Sequence, residues 1–551
     1  MRHVPRRNGA SPAPLSQTAE QLAAASAWSP FGQSLFRMLW IATVVSNVGT
    51  WMHNVGAAWL MTSLTASPAM IALVQAATSL PVFLVGLLAG ALADIVDRRL
   101  LLLWTQGWML ASAAVLGILT LVGATTPWVL LTLTFALGLG AAMNAPAWQA
   151  IVPELVPRSE LSAAVALNGT SFNLARAVGP ALGGLIVAAA GTAAVFLLNA
   201  ASFLSVLVVL YHWQRPRSTS LLPPEHVFGA MRAGVRYVRH APALHAVLLR
   251  VGSFIVCGTA LWALLPLVAQ QELGLGAIGY GGLLGCLGLG AVTGAVLLPL
   301  VQQKVAINPL VAGATGLFAA TTLILAYAHN VVLVSAAMTA GGMAWMVLMS
   351  TFTVAVQTAV PAWVRARALA VYMLVFQGGM AVGSAVWGAV ATHTGIPTAL
   401  LGAALGLIVG LTALARYRLQ PADGLDVTAT LHWDEPVVAR QPRPDDGPVL
   451  VLIEYRIAPE QAPEFARAMR ALRLVRLRDG AFRWGLFGDT ADLGRYIETF
   501  VVESWAEHLR QHERMTVVDR EVRNRATAFH IGAAPPIVSH FISAYAWEDE
   551  P

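Results

Sequence analysis

Ionisable side chains are scarce along most of this sequence, so each one asks for a reason. The run Gly90-Ala-Leu-Ala-Asp94-Ile-Val-Asp97-Arg98-Arg99 sets two carboxylates against two guanidiniums at the end of an apolar stretch. Such a set can act as a charged latch, made in one conformation and broken in another. Deeper in apolar runs lie His53, Arg176 and Arg250. Ionisable groups inside a bilayer are functional candidates by default. An unperturbed histidine titrates near about 6.5, so His53 is a candidate proton carrier; a hydrogen-bonded packing role is the alternative. Arg176 falls mid-helix, beyond snorkelling reach, and either contacts an anionic cargo or makes a structural pair. Arg250 lies nearer a helix end, where snorkelling also accounts for it. Asp94 is a second protonation candidate, set against an ion pair with Arg98, Arg99, Arg365 or Arg367.

The composition explains why these groups stand out. Of the 551 residues, 57% are hydrophobic and 11% charged, against about 25% charged in an average soluble domain. An ordinary soluble enzyme, a disordered chain and a nucleic-acid binder are excluded. Residues 1–416 hold 18 basic and 7 acidic side chains, whereas 417–551 hold 16 and 21. The first part is apolar and positive; the tail is polar and negative. Lys304 is the single lysine, in Gln303-Lys304-Val305, so no Gly-Lys-Ser/Thr phosphate loop exists and an ion gradient is the expected energy source. Cys257 and Cys286 both lie in apolar runs and read as packing residues. No nucleophile–base set, metal site or cofactor is expected.

The elements that must position these groups are membrane spans of about 20 apolar residues each. Twelve are predicted, at about 36–62, 69–92, 100–122, 127–149, 163–190, 192–212, 245–270, 276–301, 307–328, 330–352, 368–392 and 396–415. Alternate connections hold Arg98 and Arg99; Arg158; Arg215, Arg217, Arg232, Arg236 and Arg239; Lys304; Arg365 and Arg367; and Arg416 and Arg418. The opposite set holds no Lys or Arg, only Glu272, His329 and His393. The positive-inside rule then places both termini in the cytoplasm. Arg6-Arg7 precedes no close apolar core and reads as part of a polar arm, not a twin-arginine signal. Arg232, Arg236 and Arg239 fall at helical spacing, as in an amphipathic linker helix at the membrane surface.

A shift of 204 residues superposes Gly86 on Gly290, Gly90 on Gly294, Gly138 on Gly342, Pro157 on Pro361, Phe172 on Phe376, Gly179 on Gly383 and Gly184 on Gly388. Asn173 meets Gln377, another amide, and both become candidate cavity groups. The expectation is two parallel six-helix repeats with a substrate site between them. Small residues four apart, as at Gly179/Gly183 and Gly290/Gly294, permit close helix approach in lipid.

The run from Gly90 to Arg99 resembles the loop signature of the major facilitator superfamily, with Ile95 and Asp97 departing from it. Ala175-Arg176-Ala177-Val178-Gly179-Pro180-Ala181-Leu182-Gly183-Gly184 looks like the antiporter motif of drug–proton exporters, with Ala175 in place of its first glycine. Gly138-Leu-Gly140-Ala141-Ala142 is similar to the end of a further exporter motif, whose arginine would fall at Thr134. Asn144-x-Pro146, Leu155-Val-Pro157-Arg158-x-Glu160-Leu161 and Asn173-x-Ala-Arg176 resemble the branch of the enterobactin exporter and certain macrolide efflux proteins, the transmembrane secretion effector type. The resemblance covers about residues 30–545. It implies export of a small amphipathic molecule such as a siderophore, antibiotic or drug.

The tail alternates strand and helix patterns: Val449–Ile457, Pro459–Arg478, Phe482–Phe487, Tyr496–Val502, Ser504–Phe529 and Ile537–Tyr545. The order βαββαβ suggests a ferredoxin-like module. It resembles small dimeric domains of the antibiotic-biosynthesis monooxygenase type, which makes a homodimer through the tail a possible partner arrangement. His508 and His512 read as a solvated helix face, with metal binding as the alternative.

The expected fold is thus an all-α polytopic membrane protein with twelve transmembrane helices as two six-helix repeats, plus a C-terminal α+β ferredoxin-like soluble domain. Its expected divisions are a disordered cytoplasmic arm at 1–34, bundles at 35–212 and 245–416, a linker with an amphipathic helix at 213–244, a linker at 417–447 and a cytoplasmic domain at 448–551. The expected function is secondary export of a small-molecule substrate across the lipid bilayer of the bacterial inner membrane, in exchange for protons. An uptake carrier and a membrane-anchored enzyme with a catalytic tail are the alternatives.

Overall fold

The computed structural model describes residues 28–213, 236–413, 415, 417–419, 438 and 441–544. Most of the expected N-terminal arm, Arg232 of the expected amphipathic helix and most of the 417–447 linker lie outside these residues, as do the side chains of Asp94 and Arg158. Eleven long helices come first: α1 (Ser34–Leu64), α2 (Pro68–Ile95), α3 (Arg98–Leu121), α4 (Pro127–Leu155), α5 (Leu161–His212), α6 (Pro242–Leu267), α7 (Ala277–Gln302), α8 (Ile307–Tyr327), α9 (Val331–Thr358), α10 (Arg365–Thr394) and α11 (Ile396–Ala413). Ten helices among the described residues are long and apolar enough to cross a membrane; α1 is outside that set and α5 counts once. Beyond its end α6 widens into a π turn at Val268–Glu272.

Helix α5 has 52 residues, about 78 Å at the helical rise, against a hydrocarbon core of about 30 Å. It is broken at Gly191, whose φ of 80° and ψ of 170° are non-helical. A side chain there would strain against the backbone, so only glycine fits comfortably. Gly395, 204 residues later, ends α10 with φ 89° and ψ 160°. The same offset links other boundaries. Thr126 caps α4 and Asn330 caps α9 through their side-chain oxygens. The short 3-10 turns Arg158–Glu160 and Ala362–Val364 precede α5 and α10. The sequence shift is therefore repeated in backbone geometry, not only in glycine matches.

Packing divides the chain into two units. The first comprises Met1–Thr65, Leu88–Ser218 and Leu275–Gly288; the second comprises Ala66–Leu87, Thr219–Gly274 and Leu289–Pro551. Two of the borders between them fall inside helices, one in α2 and one in α7. In the first unit, Phe36, Leu39, Leu102, Ile151, Leu155, Val206 and Leu210 form one buried cluster. In the second, Phe254, Phe318, Trp345 and Phe352 are buried, with the Phe254 ring edge-on or tilted against the other three at 5.3, 5.9 and 6.4 Å.

The tail belongs to the second unit. Strands β1 (Val449–Arg456), β2 (Arg483–Gly488), β3 (Arg495–Val502) and β4 (Ile537–Ile542) form one antiparallel sheet in the order β2-β3-β1-β4. Helices α12 (Ala462–Asp479), α13 (Trp505–Arg514) and α14 (Val517–Thr527) complete the order βαββααβ. Alternate residues of β1 (Val449, Val451, Ile453 and Tyr455) are buried against Phe465, Met469 and Leu472 of α12. Within this apolar layer Glu498 is fully buried. It accepts hydrogen bonds from Tyr455 Oη at 3.0 Å, Arg476 Nε at 3.1 Å and Trp484 Nε1 at 3.0 Å. A buried carboxylate tolerates such a site only when paired and hydrogen-bonded. Glu498→Leu is expected to strand Arg476 and destabilise the tail by about 3–5 kcal/mol, read as faster hydrogen–deuterium exchange across β1 and β3 in the full chain.

Candidate functional site

The first half of α5 carries Gly179-Pro180-x-x-Gly183-Gly184, and each glycine is occupied by a neighbour. A Cβ on Gly179 would stand 3.2 Å from the Val48 carbonyl of α1, and one on Gly183 would stand 3.0 Å from Met52 Cα. On the other side, a Cβ on Gly184 would stand 3.0 Å from Gly281 Cα of α7, and one on Gly281 would stand 2.7 Å from the Pro180 carbonyl. Gly288 approaches Ala177 in the same manner. Helix α5 is thus gripped between α1 and the first part of α7, backbone to backbone. In the second unit, α10 repeats this. Gly379 and Gly383 meet Ile255 and Val256 of α6, and Gly388 meets Ala69 and Ala72 of α2. The Ala69 N–H donates to Thr392 Oγ1 at 3.1 Å. Gly290 and Gly294 are also filled, by Thr339 and Met343 of α9, whereas Gly90 has open space around it.

The loop before α3 has found partners that the sequence reading did not name. Asp97 caps α3, accepting from the Leu100 N–H at 3.0 Å. Arg98 pairs with Glu154 at 2.8 Å and donates to the Ala150 carbonyl at 3.2 Å. Arg99 donates to the Leu210 and Tyr211 carbonyls at 3.0 and 2.7 Å, placing a cation on the end of α5 where the helix dipole is negative. Glu154 sits on the last turn of α4, just before the Leu155-Val-Pro157 run, and its sign and place were the available clue. Asp94's part in the latch lies outside the described residues.

The membrane polar groups fall in separate places. His53 is wholly buried, with its ring 4.7 Å from that of Phe196 and neither nitrogen hydrogen-bonded. Asn199, three residues from Phe196, is also buried and leaves its amide nitrogen unpartnered. Arg176 is half-buried and donates to Asn173 Oδ1 at 3.1 Å, one turn away. Gln377 is half-buried on α10, next to Gly378, which meets Phe83. Arg250 is buried and donates through Nε to the Tyr417 carbonyl at 2.8 Å. It therefore holds the chain leaving α11.

In the tail, His508 and His512 are not a solvated face. His508 is 2% exposed, its Nε2 lies 3.2 Å from that of His512, and its ring lies 4.7 Å from that of His540. Trp505 packs against both His508 and His540. Helix α13 turns these rings under the sheet because Trp505 and His508 share its inner face. Burial, then the neighbouring His540 and Arg476, pushes His508 down to about 4. Burial, then His508 and Arg476, pushes His512 to about 3. No cluster of three metal-ligating side chains occurs among the described residues.

The transmembrane secretion effector family matches residues 25–547. The chain belongs to this family of the major facilitator superfamily. It is 26% identical to the multidrug efflux pump Tap of Mycobacterium tuberculosis, over 73% of this chain and 98% of that protein. It is 28% identical to the enterobactin exporter EntS of Shigella boydii, over 47% and 62% of the two. The match to the staphyloferrin A transporter of Staphylococcus aureus, at 28% identity, spans 30% of this chain and 42% of that one. An uncharacterised transporter of Bacillus subtilis, 27% identical, is matched over 48% of its length; the chain thus spans about half the length of several curated relatives it matches. A bacterial homologue of the lysosomal transporter Spinster, inward-facing, shares the fold with a TM-score of 0.56 at 12% identity over 70% of this chain and 97% of that one. A POT family transporter does so with a TM-score of 0.57 at 12% identity, over 69% and 95%.

A secretion effector of this family is a membrane transporter and not an enzyme, which sets aside the anchored-enzyme alternative. Its grip on α5 predicts that Gly184→Leu overpacks the contact with Gly281, at a cost of about 1–3 kcal/mol. Gly282→Leu, on the adjacent open position, should be tolerated. Survival of the monodisperse purified protein after heating compares the two. The tail histidines predict acid sensitivity. Their folded pKa values lie below the unfolded value near 6.5, so the unfolded chain binds more protons below that pH. Tail stability should fall as pH drops from about 6.5 toward 4, by up to about 1.4 kcal/mol per histidine per unit. In His508→Phe, protection of β1 against exchange, corrected for intrinsic rate, should depend less on pH across that window.

Proposed function

We propose that this transporter exports a small amphipathic molecule by alternating access, in exchange for protons, across the bacterial inner membrane. The observation that carries the reading is the backbone-tight Gly179–Gly184 segment and its counterpart at Gly383–Gly388. A helix held by glycines can slide and re-seat at small cost, because no interdigitated side chains need to be repacked. The contacts Gly184–Gly281 and Gly388–Ala72 are those that a rocking motion would have to open and remake. The relatives named as a multidrug efflux pump and an enterobactin exporter favour export over uptake.

In this reading there are twelve spans: α1, the two parts of α5 on either side of Gly191, α2 to α4, and α6 to α11. They form six-helix repeats at 35–212 and 245–416, with both termini cytoplasmic, in keeping with the distribution of arginine among the loops. Arg176 and Asn173 serve as polar contacts for the cargo in the first unit, Gln377 is the amide at the matching position of the second, and Arg250 is a structural clasp. His53 takes up the proton when α1 moves off Phe196. Asp94, Asp97, Arg98 and Arg99 form the cytoplasmic latch. The tail at 448–551 is a ferredoxin-like module, supported by its strand order. A homodimer through that module is supported by exposed Ile537 and Phe541 on the open β4 edge.

The test compares small molecules inside and outside cells with and without the gene, with and without iron. A compound that builds up inside and disappears from the medium on deletion is the expected result. A compound left in the medium and missing inside would replace export by uptake. Once that compound is known, Arg176→Gln should weaken its apparent affinity at least tenfold. His53→Gln should instead flatten the pH dependence of efflux, with affinity changed less than threefold; a pH profile identical to the parent would remove His53 from the proton path.

A further inference from the structure

The tail and the helical turn at residues 236–240 enclose an open cleft of about 680 Å³, within the range typical of small-molecule sites. Its lining includes none of His53, Asn173, Arg176, Arg250 and Gln377. Its charged lining is Arg236, Arg239, Arg473 and Arg483, with His240 beside them, and no carboxylate lines it among the described residues. Trp484, Phe482 and Phe487 supply aromatic surface, the latter two exposed. The Arg473 guanidinium stands 6.0 Å from the centre of the Trp484 ring. Among the described residues, Arg239, Arg473 and Arg483 make no ion pair, while Arg236 bonds Glu507 at 2.9 Å. Like charges that outnumber their counter-charges repel one another, and an anion relieves that repulsion.

We propose that this cleft binds a soluble anion bearing an aromatic ring. The guanidiniums provide planar, bidentate partners for a carboxylate, sulfonate or phosphate. The exposed rings provide a flat apolar surface that a simple inorganic anion or a lipid headgroup would leave uncovered. The inference does not rest on the direction of transport or on the identity of the cargo. Arg236 gives the site a reach beyond itself. Its partner Glu507 also accepts from Arg514 at 2.6 Å, and Arg514 lies 4.4 Å from the centre of the Trp363 ring, in the turn leading into α10. An anion that draws Arg236 to itself loosens the first link of that chain.

The probe is pyranine, a four-ring trisulfonate that does not cross bilayers, titrated by fluorescence anisotropy against the full chain in phosphatidylcholine nanodiscs. Saturable binding is expected, displaced by naphthalene-1,5-disulfonate but not by inorganic sulfate at the same concentration. This competition on the unaltered protein is independent of how any variant folds. The Arg473→Gln, Arg483→Gln pair, both exposed, should raise the midpoint at least tenfold. No saturable binding, an unchanged midpoint in that pair, or equal displacement by sulfate would overturn the proposal. Displacement by glycerol 1-phosphate as effective as by naphthalene-1,5-disulfonate would also overturn it, assigning the arginines to a phospholipid headgroup.

Discussion

In lipid, apolar side chains gain little by leaving the solvent for one another, so helices must be joined by close contact and by shared hydrogen bonds. The rest of this structure depends on how closely two backbones can approach at the glycines of α5 and α10. Each of these helices is held on one side by the first helix of its own repeat, α1 or α6. On the other side it is held by the leading part of α7 or α2. This is why the packing units do not follow chain order, and why α2 and α7 are each divided between units. Bulky residues could not form these joints. Leucine-on-leucine packing needs about 8–10 Å between axes, and it interlocks.

The arginines near the ends of helices serve the same economy in another way. Arg99 covers terminal carbonyls of α5, Arg250 covers Tyr417 beyond α11, and Arg98 reaches the Ala150 carbonyl as well as Glu154. A helix end buried without partners is costly, and a guanidinium has five donors with which to satisfy several carbonyls. These side chains are therefore not spare charges waiting for a partner. Any motion of α3 against α4 or α5 exchanges hydrogen bonds as well as ion pairs, and that ties the loop to the helix positions rather than to pH alone.

Much of this was legible because the membrane simplifies the code. Apolar runs marked the helices, and the 204-residue shift marked their repetition, since both are properties of residue type and spacing. The break at Gly191 falls in the predicted gap between 190 and 192, where a φ of 80° and ψ of 170° interrupt the helix. What was not legible depended on distant neighbours. Nothing local to Arg98 pointed to Glu154, 56 residues away. His508 and His512 have the spacing of a helix face, but spacing does not say which face is wet. Only the placing of Trp505 and His540 shows that the pair is interior. The carbonyl that Arg250 holds belongs to Tyr417, 167 residues away and beyond the last helix.

The sheet domain of the tail is joined to the helices of the second unit by cation–π contacts and an ion pair. Arg514 lies over Trp363, Trp363 meets Tyr237 edge-on at 5.5 Å, and Arg478 lies over Tyr237 at 5.2 Å. Each cation is itself anchored in the tail. Arg514 bonds Glu507 and the Asp479 carbonyl, and Arg478 bonds Asp479 and Asp519. The two rings come from the turn before α10 and from the turn before α6, so one tail surface joins the approaches to both helices of the grip in the second unit. Cation–π contacts are each worth about 0.5–2 kcal/mol, more as water is excluded. The Arg236–Glu507 pair adds a third polar contact to these two. A domain fastened in this manner reports on the turns it touches, because displacement of either ring removes a partner from a buried arginine.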